Sequence, residues 1–351
     1  MKKKNLFIGL ALSLAVTGCG KEALENTNNN VKEEVKQEEN EEVKEAKTEK
    51  KDESKVIYAS FYPIYNLTKQ IAGDKFEVKS FNSLTTESHD FEPSAKEIAE
   101  LSESQLIFMN GAGMEDWKDD VNETIDISMV DTSESLNLIK ADHDHEDAED
   151  HDHDHEDAED HDHDHDHEEG EHHHHHHGEF DPHTWLSPVN AKAQAKVIAD
   201  KLSEIDPANK DYYQKNYEKI AKEFDEIINE YKDKFNQVTN NKFIVPHEAF
   251  GYVARDFNLE QIPLASLTST ADPDAKVMKE VTDLAKADKI RTVFYEKGGS
   301  DKAAKTIAGE IGADTAALST MEFASQDEID KEVTIQEIIK ENLENIYKSL
   351  A

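Results

Sequence analysis

Val56-Ile57-Tyr58-Ala59, followed by Ser60-Phe61-Tyr62-Pro63-Ile64-Tyr65-Asn66-Leu67-Thr68-Lys69-Gln70-Ile71, is the stretch that decides the fold. A short apolar run rich in β-branched and aromatic types reads as a strand. Ile64, Leu67 and Ile71 then recur at helical spacing on one face. The same unit repeats downstream. Phe76 to Phe81 reads as a second strand, Leu106-Ile107-Phe108-Met109 as a third and Ile127 to Val130 as a fourth, with Ile98 and Leu101 on the helix before the third. Strands that alternate with helices predict parallel βα units.

The rhythm restarts after residue 240. Phe243-Ile244-Val245, Ile262 to Ala265, Thr292 to Tyr295 and Ala313 to Leu318 read as four more strands. Phe250, Val253 and Phe257 mark one intervening helix, Val277, Val281 and Leu284 a second, Ile307 and Ile311 a third. A final helix carries Ile335, Ile339, Leu343, Ile346 and Leu350. Glu92-Pro93-Ser94-Ala95-Lys96 echoes Asp272-Pro273-Asp274-Ala275-Lys276, each with Pro at a helix start beside a carboxylate. Between the repeats, Tyr213, Tyr217, Ile220, Phe224, Ile227, Tyr231 and Phe235 form a helical stripe, and no Gly or Pro interrupts Asn209 to Thr239. Such a helix runs ~40 Å at ~1.5 Å per residue. The predicted fold class is therefore α/β, two similar (βα)4-type lobes joined by a long rigid helix, with any ligand in the cleft between them.

Composition shows that part of the chain lies outside this fold. Of 351 residues, 36% are hydrophobic and 33% charged, against typical values of roughly 45–50% and 25%. The formal charge of −39 excludes nucleic acid as a partner, because phosphates would be repelled. Asp142 to Gly178 holds 18 acidic residues and no Lys or Arg, nearly half of that charge. At the other end, Lys2, Lys3 and Lys4 precede an apolar run of 11 residues, Leu6 to Val16. A membrane span needs ~20, so the run reads as a signal peptide. Val16-Thr17-Gly18-Cys19 ends it, and Cys19 is the only cysteine. A small-residue stretch closing on a lone Cys resembles a bacterial lipobox, in which Cys19 becomes the lipid-bearing first residue. Asn26 to Lys55, rich in Asn, Glu and Lys, reads as a disordered, self-extending tether. The expected organisation is signal peptide 1–18, lipidated tether 19–54, first lobe 55–207 with an insertion at 142–178, linker helix 208–240 and second lobe 241–351.

The histidines carry the functional reading. Fifteen of 18 lie in the acidic insertion: His143, His145, His151, His153, His155, His161, His163, His165 and His167, then the run His172, His173, His174, His175, His176 and His177. Only His89, His183 and His247 serve the rest of the chain. Each of the three lies at the carboxyl end of an expected strand or just before a helix, where open α/β sheets bind ligands. Three imidazoles drawn from both lobes and converging there make a metal site. Glu296, at the end of the seventh strand, is the expected fourth donor; Asp301 or a water molecule stands as the alternative. Three His and a carboxylate suit tetrahedral Zn²⁺ better than oxygen-seeking Mn²⁺.

Taken with Ala59-Ser60-Phe61-Tyr62-Pro63, His89-Asp90-Phe91-Glu92-Pro93-Ser94, Asn110-Gly111-Ala112-Gly113, Asp181-Pro182-His183-Thr184-Trp185-Leu186 and His247-Glu248-Ala249-Phe250-Gly251-Tyr252, the chain from about Lys55 onward resembles the zinc-binding, ZnuA-like members of the cluster A-I metal receptors, the solute-binding lipoproteins of zinc ABC importers. The resemblance implies two α/β lobes with metal between them, ligand roles for His89, His183 and His247 and, less directly, Glu296, and partnership with an ABC permease and its ATPase. It implies a monomeric, non-enzymatic protein, lipid-anchored on the extracytoplasmic face of a bacterial membrane. In manganese-type relatives a carboxylate takes the third His position, so His247 speaks for zinc. Ser88 departs from the pattern, which usually places Pro there.

The insertion repeats with a ten-residue period and offers nothing apolar beyond two Ala. It is expected to be disordered and to hold divalent metals at weaker, adjustable sites that raise metal concentration near the cleft or sense it. A manganese receptor of the same family, a zinc hydrolase with Glu248 as base, and a surface adhesin are the competing readings. No His-Glu-x-x-His helix supports the hydrolase.

Overall fold

The computed structural model describes residues 55–141, 178–267 and 273–351. Cys19, the signal and tether segments and the fifteen insertion histidines lie outside the described residues.

The chain forms β1 (Val56–Ala59), α1 (Tyr62–Ala72), β2 (Glu77–Ser80), α2 (Ala95–Leu101), β3 (Leu106–Met109), α3 (Lys118–Thr124) and β4 (Ser128–Asp131). A 3-10 turn at Thr184–Leu186 leads into α4 (Pro188–Ile205) and α5 (Lys210–Phe235). The second half runs β5 (Lys242–Val245), α6 (Gly251–Phe257), β6 (Glu260–Pro263), α7 (Ala275–Ala287), β7 (Thr292–Glu296), α8 (Lys302–Ile311), β8 (Asp314–Leu318), α9 (Gln326–Asp330) and α10 (Ile335–Leu350). The strands make two four-stranded parallel sheets of identical order, β2-β1-β3-β4 and β6-β5-β7-β8.

Each central strand is buried on both faces, and its alternating side chains feed two cores. In β3, Leu106 and Phe108 enter a large central core, whereas Ile107 and Met109 face an outer layer. In β5, Phe243 and Val245 point to the same central core and Ile244 to a second outer layer. The central core is continuous through both halves. It takes in Tyr213, Ile220, Phe224, Ile227, Tyr231 and Phe235 of the 26-residue α5, and Ile335, Ile339, Leu343 and Ile346 of α10. The linker stripe is thus core packing, as its spacing predicts.

Three expectations shift in detail. β6 begins two residues earlier than expected, because Asn258 ends α6 in the left-handed region (φ 56°) and turns the chain straight into the sheet. Pro263 closes that edge strand, where its missing N–H costs no ladder bond. β4 is displaced by one residue, to Ser128–Asp131. Pro93 and Pro273 stand one residue before the helix cap rather than inside the first turn. Ser94 and Asp274 cap α2 and α7 by accepting bonds from the first-turn N–H groups.

Candidate metal centre

The loops leaving the carboxyl ends of the strands meet in the cleft between the two sheets. His89 comes from the loop after β2 and His183 from the segment entering the 3-10 turn. His247 lies two residues past β5. The three imidazoles converge with a carboxylate that the sequence reading did not name, Glu322. His89 Nε2 and His183 Nε2 are 3.2 Å apart. Glu322 Oε1 lies 3.7 Å from His89 Nε2, 3.5 Å from His183 Nε2 and 3.4 Å from His247 Nε2. A tetrahedral zinc with ligand bonds of about 2.0–2.1 Å has edges of roughly 3.3–3.4 Å, so these separations are those of four ligands around one ion. His247 Nε2 and Glu322 Oε1 are buried and make no hydrogen bond. Two orphaned polar atoms facing each other are costly in an apolar interior and are satisfied together by a cation.

Neighbouring groups orient the ligands. Asp181 Oδ1 accepts from both the backbone N–H (2.9 Å) and Nδ1 (2.8 Å) of His183, leaving Nε2 to face the centre. A carboxylate behind a ligating imidazole fixes its tautomer and raises its basicity. Asp181 is fixed in turn by Tyr252 of α6, whose hydroxyl donates to its carbonyl at 2.7 Å. Burial alone would lower the His183 pKa, but Asp181 and Glu322 outweigh it and raise it to about 9. Burial alone would likewise raise the Glu322 carboxyl; the facing imidazoles, His183 foremost, hold it well below the usual range. Glu87 is the opposite case. Burial and the adjacent Glu322 carboxylate push it up to about 9, so it is a neutral acid at neutral pH.

Glu296, the expected fourth donor, sits beside the centre. It belongs with Glu87 and Glu322 to a second group of carboxylates. Its Oε2 is 3.9 Å from His247 Nδ1, outside hydrogen-bond reach, and its Oε1 accepts from the Thr320 hydroxyl. Asp301, the fallback, precedes α8 and pairs with Lys305, outside both groups. Glu322 escaped the sequence reading because it lies four residues beyond the end of β8. Met321, before it, adopts φ 60°, a left-handed conformation that is uncommon in side-chain-bearing residues. That kink turns Glu322 back into the cleft, and Met gives no sign of it in the sequence. A cavity of about 420 Å³, lined by Glu87, Asp90, His247, Glu296 and Phe294 among others, adjoins the centre.

Two parallel α/β sheets, with three imidazoles and a carboxylate gathered between them, define a metal-receptor architecture rather than a nucleotide- or sugar-binding one. The family described as "Zinc-uptake complex component A periplasmic" matches residues 57–349, and the chain belongs to that family, the zinc-capturing receptors of ABC import. It is 32% identical over 353 residues to the high-affinity zinc uptake system protein ZnuA of Bacillus subtilis, covering 99% of this chain and 98% of that protein. It is 31% identical over 302 residues to the zinc-binding lipoprotein AdcA of Streptococcus pneumoniae, covering 84% of this chain but 55% of AdcA. Among solved structures, the laminin-binding protein Lmb of Streptococcus agalactiae, described as a bifunctional adhesin and metal transporter, superposes with a TM-score of 0.69. That match has 28% identity and covers 84% of this chain and 99% of Lmb. A crystal structure of ZnuA superposes with a TM-score of 0.66 at 25% identity, covering 86% and 100%.

Proposed function

We propose that the chain captures Zn²⁺ with His89, His183, His247 and Glu322 and delivers it to an ABC permease for import, Glu296 acting beside the ligands. The convergence of three imidazole Nε2 atoms on Glu322 Oε1 at 3.4–3.7 Å carries this reading. Three nitrogens and one oxygen at tetrahedral spacing favour zinc over manganese. Glu322 takes the fourth position, where a catalytic zinc keeps a water, and this supports a receptor rather than a hydrolase. Capture requires His183 to give up the proton it holds up to about pH 9, so binding is coupled to proton release.

The same reading assigns the remaining segments. Residues 1–18 are a signal peptide and 19–54 a tether lipidated at Cys19, holding a monomer on the extracytoplasmic face of the membrane. Residues 55–207 form the first lobe, 208–240 the linker helix and 241–351 the second lobe. The His-rich insertion at 142–178 supplies weaker metal sites that feed or sense the cleft. Its two ends are joined where they leave the fold: Ala141 donates to Glu179, Asp181 to Ile139, and Lys140 pairs with Phe180. Competitive zinc titration of the mature protein, of a 142–178 deletion and of a His89/His183/His247→Ala triple variant tests the assignment. One tight site is expected to survive the deletion and vanish in the triple variant; tight binding retained by the triple variant would overturn it.

A further inference from the structure

We propose that Ser88 is a positioning residue for the carboxylate that closes the zinc site, an inference that rests on Glu322 being a ligand. Ser88 precedes His89 on the first half of the molecule and is buried. Its hydroxyl donates to the backbone carbonyl of Glu322, on the second half, at 2.7 Å. The direction of this bond is forced. Asn82 Nδ2, which can only donate, points at Ser88 Oγ from 3.1 Å, so the single hydroxyl proton goes to the Glu322 carbonyl. Asn82 is itself oriented by Thr86, whose hydroxyl donates to Asn82 Oδ1 at 3.2 Å.

The acceptor is the residue in greatest need of restraint. Glu322 follows the left-handed Met321, a conformation that persists only where surrounding contacts over-determine it. On the Met321 side Asn342 grips Ser319 through both its N–H and its carbonyl, and Trp185 of the first half donates its indole N–H to the Thr320 carbonyl at 2.6 Å. On the Glu322 side two groups of the first half meet the backbone: Ser88 at Glu322 itself, and Leu84, whose carbonyl accepts from the Ala324 N–H at 2.7 Å. One residue thus adjoins a ligand, His89, through the chain and a second ligand, Glu322, through a hydrogen bond. The bond spans the two halves, so it forms only where they keep this registry and favours that arrangement over any that separates them. A hydroxyl here makes zinc retention depend on the registry of the two halves.

The test uses the metal-stripped full chain, Zn²⁺ titrated against a competing chelator, and Co²⁺ as a spectroscopic probe. The variants are Ser88→Ala, Ser88→Thr, Ser88→Val and Glu322→Gln. Thr and Val differ only by hydroxyl against methyl, so any fold defect from the added branch cancels between them. Ser88→Ala and Ser88→Val are expected to bind zinc about tenfold more weakly, the effect of one buried hydrogen bond. Their cobalt complexes are expected to lose visible intensity as Glu322 gives way to water. Ser88→Thr is expected to restore both. Wild-type affinity in Ser88→Ala and Ser88→Val beside a loss in Glu322→Gln overturns the role of Ser88 and leaves the ligand set intact. Weaker zinc with an unchanged cobalt spectrum and no difference between Thr and Val reduces Ser88 to a packing residue and also overturns it. Wild-type behaviour in Glu322→Gln overturns the ligand reading itself.

Discussion

The two halves share strand order and sheet type, yet they fix their metal-facing groups by different means. In the first half, side chains do the holding. The outer layer is aromatic: Phe91, two residues after His89, packs edge-on against Phe81 at 5.6 Å and near Trp117 at 6.5 Å, and Phe81 meets Trp117 at 4.8 Å. His183 is gripped by Asp181. In the second half the outer layer is aliphatic, with Ile244, Ile262, Val281, Val293 and Ile307, and Glu322 is placed by a backbone kink at Met321. A stiff aromatic wall suits ligands that must be ready before the ion arrives. A kinked turn suits one that can withdraw. On the proposed ligand set, His89 and His183 of the first half serve as the template and Glu322 of the second as the closure.

Removing a template ligand should have the largest effect. His183→Ala is expected to weaken zinc roughly a hundredfold to a thousandfold, since structural zinc sites hold about 10–16 kcal/mol over four ligands; chelator competition measures it. A loss below tenfold would mean that His183 is not a ligand. Next comes the orienting carboxylate. Asp181→Asn is expected to cost about 10–100-fold, the usual effect of removing the partner behind a ligating imidazole. It should also lower the pH at which zinc binding saturates, because His183 loses a group that raises its pKa.

The pH dependence follows with its sign. Metal-free His183 keeps its proton to about pH 9 instead of its ordinary 6.5. Zinc affinity should therefore climb with pH until about 9, and calorimetry in buffers of different ionisation enthalpy at neutral pH should register a released proton. The same proton contributes stability to the metal-free fold that is complete below pH 6.5 and lost as pH rises through about 9. Glu115 acts in the same sense. Burial raises its carboxyl to about 7 despite bonds from the backbone N–H groups of Gly111 and Asn110. Urea unfolding of the chelator-treated protein should accordingly show stability falling from pH 4.5 upward through about 7. The smallest effect is expected from Tyr252→Phe, which removes the hydroxyl that donates to Asp181 and accepts from Ile139 at 3.2 Å. A cost of about 1 kcal/mol is expected for such a bond, read as a lower unfolding midpoint. An unchanged midpoint would show that water replaces it.

Much of this arrangement was legible before any coordinates. The alternation of strand and helix patterns located all eight strands, most plainly the central ones; edge strand β2 has no fully buried residue of its own and is marked by the buried Phe76 and Phe81 that flank it. His89, His183 and His247 were legible because each is a lone imidazole at a chain position where parallel sheets present ligands. Glu322 was not, since its placement depends on the conformation of Met321, a residue whose side chain looks like ordinary core. Glu296 lies at the end of β7 as its position predicts, grouped there with Glu87 and Glu322. Ser88 was visible only as a departure from a pattern; its hydrogen bond connects residues 234 positions apart.

The joined stem at Lys140 and Phe180 separates two histories. Because residues 141 and 179 are hydrogen-bonded to each other, the fold is closed before the insertion begins, and closing a longer loop costs only ~0.6 kcal/mol per doubling of its length. The His-Asp tract can therefore gain or lose ten-residue repeats by replication slippage without disturbing His183 a few positions away.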